Sequence, residues 1–243
     1  NGKPSWSEAQ TIEEIEALRL EQGERSFQKE YMNNPITEGA VFKAETIQYT
    51  KPLPFRRYTR LICYTDPSFK NSSNNDYKAT VLVGKTKEGY FHVLKVFAAQ
   101  ESVSTMYEWL YSIRSYVEDC TVYYYMESNF IQSMHLDDFR KFGEAKGDII
   151  ALRGDSRKKP DKFARIEALE PLFSQGLIFF NQYEKDSAGM QVLIEQLLRF
   201  QRGSKVHDDA PDALEGAIFL LQRKDCNSTN LTMVEKRKHS RLF

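Results

Sequence analysis

The sequence lacks what several large protein classes require. It has only three cysteines in 243 residues, Cys63, Cys120 and Cys226, and they are scattered without metal-ligand spacing. That excludes a disulfide-stapled scaffold and reads as reduced thiols of an intracellular protein. No apolar run approaches the ~20 residues that span a bilayer, so no membrane partner is expected. The opening residues have neither the basic start nor the apolar core of a signal peptide, which argues against secretion. There is no internal repeat and no low-complexity tract. Net charge is also missing, with 34 basic against 34 acidic residues. On its own that argues neither for nor against a polyanionic partner.

What is present is ordinary for a globular chain: 41% apolar and 28% charged residues. The length suits one large domain, or one domain with an appendage. Because the chain opens on Asn1 rather than Met, a fragment of a longer protein is expected. Charge is unevenly spread. The opening stretch from Glu8 to Glu30 is net acidic, whereas "RGDSRKKPDKFAR", residues 153–165, carries six Arg and Lys against two Asp. The tail "VEKRKHSRLF" is basic too. A local basic stripe is what a phosphate contact needs, although a solvated loop has the same composition.

Periodicity divides the chain into three parts. Residues 1–57 read as an N-terminal extension: a helical pattern from residue 11, a break at Gly23, then "NNPITEG" and "KPLPF" as linker punctuation. Residues 58–224 read as the folded domain, and 225–243 as a basic tail. Within the domain, "RLICYTDPS" is a strand ending at Asp66-Pro67, and "KATVLVGKTKEGYFHVLKVFAA" is two strands around a turn, completing an antiparallel meander. An amphipathic helix follows, with Met106, Trp109, Leu110, Ile113 and Val117 on one face. "TVYYYMESN" is a fourth strand ending at Glu127, and "DIIALRG" is a fifth. Helices are expected over 131–146, 161–175, 187–201 and 210–223, with "GLIFFN" as a short strand. This order gives an α/β fold: a mixed sheet of three antiparallel meander strands plus parallel strands, flanked by helices.

Acids fall at the ends of these elements. Asp66 closes the first strand, Glu127 closes the fourth, and Asp209 and Asp212 open the last helix in "HDDAPDALEGAIFLL". Crevices outside strand ends collect ligands in open α/β sheets. Asp209 and Asp212, three apart, share a helix face. Carboxylates grouped against apolar residues need a neutralising partner, and a hard divalent cation such as Mg²⁺ or Mn²⁺ suits them. Two such ions would clamp an in-line phosphoryl displacement. Each acid also has an ordinary role: Asp209 and Asp212 as a helix cap, Asp66 as a turn, Glu127 as a strand exit.

Taken together, "YTDPSF", "YYYMESNF" and "HDDAPDALEGA" resemble the nuclease domain of tailed-phage terminase large subunits, the DNA-packaging motors. "GERSFQKEYMNNP…EGAVFK" resembles the segment joining that family's ATPase domain to its nuclease. The resemblance runs from about Gly23 to Leu221. It implies an RNase H-like fold and metal-dependent endonuclease cleavage of double-stranded DNA. It further implies a small terminase subunit and a portal as partners, and the cytoplasm of a bacterial host as the location. Carried over, Asp66, Glu127, Asp209 and Asp212 are the catalytic metal ligands for two Mg²⁺ or Mn²⁺ ions, with His207 and Asp208 as additional candidates. Lys158, Lys159, Lys162 and Arg165 are the candidates for DNA phosphates, which would position the duplex without reading its sequence. The resemblance departs at the motor: no G-x-x-x-x-G-K-[ST] phosphate loop is present, so ATP hydrolysis is not expected of these residues. "DAPDALEGA" also resembles the last acidic motif of Holliday-junction resolvases of the same fold. A resolvase, or a DNA-binding module without catalysis, therefore stands as the alternative.

Overall fold

The computed structural model describes residues 11–22, 40–67, 77–118, 120–127, 136–204 and 206–223. The basic tail, residues 23–39 of the expected joining segment and residues 128–135, which include the start of the expected 131–146 helix, lie outside these ranges. The described chain contains a seven-stranded sheet in the order β1-β7-β4-β3-β2-β5-β6. The strands are β1 (Gln48–Thr50), β2 (Arg60–Asp66), β3 (Lys78–Lys85), β4 (Phe91–Ala99), β5 (Val122–Glu127), β6 (Leu152–Asp155) and β7 (Ile178–Asn181).

The expected meander is there. β2 and β4 both pair antiparallel with β3, while β5, β6, β7 and β1 all join through parallel pairings. The β3–β4 turn closes with Thr86 N–H donating to the Tyr90 carbonyl, and Gly89 there takes φ of 100°, which a side chain would resist. β2 and β3 are buried along almost their whole length, as strands covered on both faces must be.

Alternation along β2 sends residues to two cores. Ile62 and Tyr64 join a cluster under α6 (Ala188–Leu198) and α7 (Asp209–Gln222). Leu61 and Cys63 join a second cluster, under α2 (Val103–Tyr116) and α3 (Leu136–Lys146). Burial also pushes the Cys63 thiol pKa up, so it is an inert core residue. α2 opens on Ser102, whose hydroxyl accepts from Thr105 N–H, and it buries Met106, Leu110 and Ile113. α7 lies on β2 and β3, and Gly216 permits the approach: a Cβ there would fall 2.5 Å from the Tyr64 ring.

Three expectations need correction. Residues 41–57 are not a linker, since Val41 and Phe42 are core residues and Phe42 packs edge-on to Phe173 at 5.0 Å. Between Phe42 and the following prolines, Pro52 and Pro54, β1 adds a three-residue edge strand onto β7. The helix expected over 161–175 is two, α4 (Lys162–Glu167) and α5 (Glu170–Ser174), with Pro171 starting the second. The fifth strand starts later than "DIIALRG" suggests, because Ile150 turns into the core while Ile149 stays exposed. α1 (Ile12–Gln22) is tied to α5 by Gln175 Nε2 donating to the Leu20 carbonyl.

Candidate active site

Three parallel strands end together in three carboxylates. The β2–β5 register pairs Thr65 with Met126, which sets Asp66 beside Glu127, and the β5–β6 register pairs Glu127 with Asp155. Asp66 and Asp155 are buried, and Glu127 is partly so. The N-terminus of α7 brings Asp208, Asp209 and Asp212, the last two buried.

Capping does not account for the α7 acids. Asp208 occupies the N-cap position, yet no side chain there bonds to the helix backbone. Gln196 of α6 supplies the cap instead, its Oε1 accepting from Ala210 N–H at 3.0 Å. The acids are therefore turned to other partners, and those partners are cations. Lys162 Nζ lies 2.6 Å from Asp208 Oδ1, 3.5 Å from Asp212 Oδ2 and 3.6 Å from Asp209 Oδ1. Arg165 grips both oxygens of Asp212, at 2.6 and 3.2 Å, and also reaches Glu215 at 2.7 Å. Lys159 Nζ is 3.1 Å from Glu127 Oε1. Burial alone would lower the Lys162 pKa, but the carboxylates of Asp212, Asp66 and Asp208 outweigh it and hold the ammonium charged. Arg165 is likewise raised against burial, by Asp212 and Glu215.

Behind the acids runs a buried ladder of alternating charge. Glu215 takes both arms of Arg157, at 2.8 and 2.5 Å, besides Arg165. Arg157 Nε sits 3.0 Å from Asp155 Oδ2, a charge contact without hydrogen-bond alignment. Tyr64 O–H donates to that same Oδ2 at 2.9 Å. The Phe219 ring lies 4.0 Å below the Arg157 guanidinium. The ladder joins the strand-end wall of the site to the helix wall.

The structure thus gathers Asp66, Glu127, Asp208, Asp209, Asp212, Lys159 and Lys162 at one sheet end. His207 stands at the rim, half-exposed, with Nδ1 3.6 Å from Asp209 Oδ2 and its ring against Tyr77 at 4.8 Å. Lys158 is exposed on the loop before α4. Arg165, expected at phosphates, is buried and committed to Asp212 and Glu215, so it serves the acids rather than a ligand surface. Sequence reasoning missed Asp155, Glu215 and the pairing of Arg157. Glu215 carried a signal, since it stands three residues beyond Asp212 on the same helical face.

A divalent cation suits the donor chemistry, because the acids offer hard oxygen ligands and already surround one positive charge, the Lys162 ammonium. Among the described residues, no three His, Cys, Asp or Glu side chains close into a ready-made metal cage.

A mixed sheet with a central antiparallel meander, acids at the carboxyl ends of neighbouring strands and a final helix bringing more acids define the RNase H-like class. Residues 63–221 match the family described as the terminase RNaseH-like domain, and the chain belongs to it. No curated protein sequence matches the chain. Among solved structures, it is similar to the large terminase of a thermophilic bacteriophage, solved in complex with ADP, at TM-score 0.61 and 12% identity, over 88% of this chain and 53% of that one. The chain therefore spans about half the length of that protein. It is also similar to the human cytomegalovirus terminase nuclease domain (TM-score 0.52, 17% identity, 74% of this chain and 94% of that one). The P22 large terminase nuclease domain resembles it as well (TM-score 0.51, 15% identity, 75% and 93%). The cytomegalovirus domain has also been solved after soaking in Mn.

Proposed function

We propose that this chain is the endonuclease part of a phage DNA-packaging terminase and hydrolyses phosphodiester bonds of double-stranded DNA. One observation carries the proposal: acids from β2, β5 and the start of α7 converge on one sheet end, and the α7 acids leave the capping of their own helix to Gln196. Asp66, Glu127 and Asp209 are the residues that would hold two Mg²⁺ or Mn²⁺ ions, with Asp212 beside them under the grip of Arg165. Bound ions of this kind activate water and stabilise the leaving oxygen.

The chain's own residues orient and neutralise. Arg165 and Glu215 fix the Asp212 carboxylate, and the buried core around Met126 and Thr65 fixes the strand ends that carry Glu127 and Asp66. Lys158, exposed on the loop before α4, and Lys159, whose ammonium pairs with Glu127, are the proposed contacts to backbone phosphates, made without reading sequence. The ATPase domain, the small terminase subunit and the portal are the proposed partners, and the cytoplasm of a bacterial host is the proposed setting.

Incubation of supercoiled plasmid with the chain in Mn²⁺, Mg²⁺ or EDTA, beside an Asp66→Asn variant, tests the proposal. Linearisation that needs the metal and vanishes in the variant supports it. Cleavage in EDTA, or equal cleavage by the variant, overturns it.

A further inference from the structure

Two cations meet the Asp212 carboxylate, and they are held differently. Arg165 is buried, with its guanidinium locked onto two carboxylates. Lys162 begins α4, where Asp161 caps the helix through Ala164 N–H and fixes the backbone. Its side chain remains 37% exposed, and its ammonium lies within 4 Å of Asp208, Asp209 and Asp212. A flexible four-carbon stem carrying a point charge can leave such contacts without disturbing the helix, whereas a planar bidentate guanidinium cannot.

We propose that Lys162 is a tethered counter-cation that divalent ions displace from the α7 acids, so that metal uptake and release of Lys162 are a single exchange. The inference rests on the nuclease reading above, since it takes these acids as metal ligands. Three features of the geometry support it. The Asp208 carboxylate, free of any capping duty, makes the shortest contact to Lys162 and serves to park it. An ammonium within 4 Å of three carboxylates occupies the positive charge they can hold, and a divalent ion in the same place would repel it. Lys159 is engaged with Glu127 at the same sheet end, so DNA phosphates arriving there meet two lysines whose present partners are the acids. Metal and DNA then reinforce each other: ions free the lysine, and the phosphate gives it a new partner. By linkage each ligand tightens the other.

Calorimetric titration of Mn²⁺ into the protein without DNA tests the exchange, comparing wild type with Lys162→Met, which keeps the stem and removes the charge. The variant is expected to bind Mn²⁺ about tenfold or more tightly, because no internal cation has to be displaced. Lys162→Arg, which keeps the charge on a group that leaves carboxylates less readily, is expected to bind Mn²⁺ no more tightly than wild type. Lys162→Gln repeats the comparison if the methionine variant does not fold. Equal or weaker Mn²⁺ binding by the neutral variants overturns the exchange and leaves the nuclease reading standing. Absence of Mn²⁺ binding from wild type and neutral variants alike overturns both.

Discussion

Arg157 and Glu215 meet guanidinium to carboxylate through two parallel hydrogen bonds, each side chain about 8% exposed. One lies on the loop after β6 and the other on the buried face of α7, 58 residues apart in sequence. Glu215 also binds Arg165, and Arg165 binds Asp212, so the pair is the middle of a chain of contacts that ends at a site acid. Its job is to hold the basic loop against the helix that carries the acids.

Breaking that pair from one side leaves a buried guanidinium short of its partner. Glu215→Ala should lower unfolding free energy by about 3 kcal/mol, toward the lower end for a broken buried pair because Arg157 keeps Asp155 and Arg165 keeps Asp212. Denaturant unfolding checks it. A loss below about 1 kcal/mol would mean the pair is no more than a surface contact.

Stability should fall on both sides of neutral pH, through Tyr58 and His92. The Tyr58 hydroxyl lies 2.9 Å from His92 Nδ1 and accepts a hydrogen bond from Leu53 N–H. Burial lowers the His92 pKa below its usual 6.5. Below that value the unfolded chain takes up a proton that folded His92 resists, so this contribution is present above 6.5 and lost as pH falls through the lowered folded pKa. Burial pushes Tyr58 up to about 12, against the opposing Leu53 hydrogen bond. Its contribution is present below about 10 and lost as pH rises toward 12. His92→Gln should flatten the acid limb by up to about 1.4 kcal/mol per pH unit. An unchanged slope in the variant would rule out His92 as its source.

Glu127→Gln separates chemistry from folding. The Glu127–Lys159 pair is half-buried and has no part in the core clusters, so unfolding free energy should fall only modestly, by about 1–2 kcal/mol. Metal-dependent cleavage should drop by roughly a hundredfold or more, as expected when a ligand worth several kcal/mol to the reaction is neutralised. A variant that cleaves like wild type would remove Glu127 from the site.

Much of this arrangement was legible in the sequence, and the legible parts share a cause. The meander could be read because its strands are apolar runs bounded by a Gly-bearing turn, whereas the pairing of β2 with β5, which sets Asp66 beside Glu127, shows only in the register. The choice of Asp66, Glu127, Asp209 and Asp212 needed only strand and helix ends. β1 was hidden because a run of three residues just before Pro52 carries no period. Asp155 was hidden because the strand was placed too early, which left it in a loop. The inward commitment of Arg165 was invisible for another reason. Asp161, one turn before it, caps α4 instead, and the partners of Arg165 lie 47 and 50 residues away, beyond the reach of any local spacing.

Gly216 should not tolerate a side chain. An added Cβ would meet the Tyr64 ring at 2.5–2.7 Å, and Tyr64 is itself fixed by its hydrogen bond to Asp155. Gly216→Ala should cost about 1–3 kcal/mol by overpacking, outweighing the helix propensity it gains. A thermal midpoint at or above wild type would show that α7 can shift away from β2.

The most direct test of the account is to locate Mn²⁺ by anomalous scattering in crystals of this chain soaked with the metal. The account predicts density among Asp66, Glu127 and Asp209, with the Lys162 ammonium moved off the α7 carboxylates. Strong Mn²⁺ density elsewhere, with Glu127 still on Lys159 and the α7 carboxylates still on Lys162 and Arg165, would contradict it.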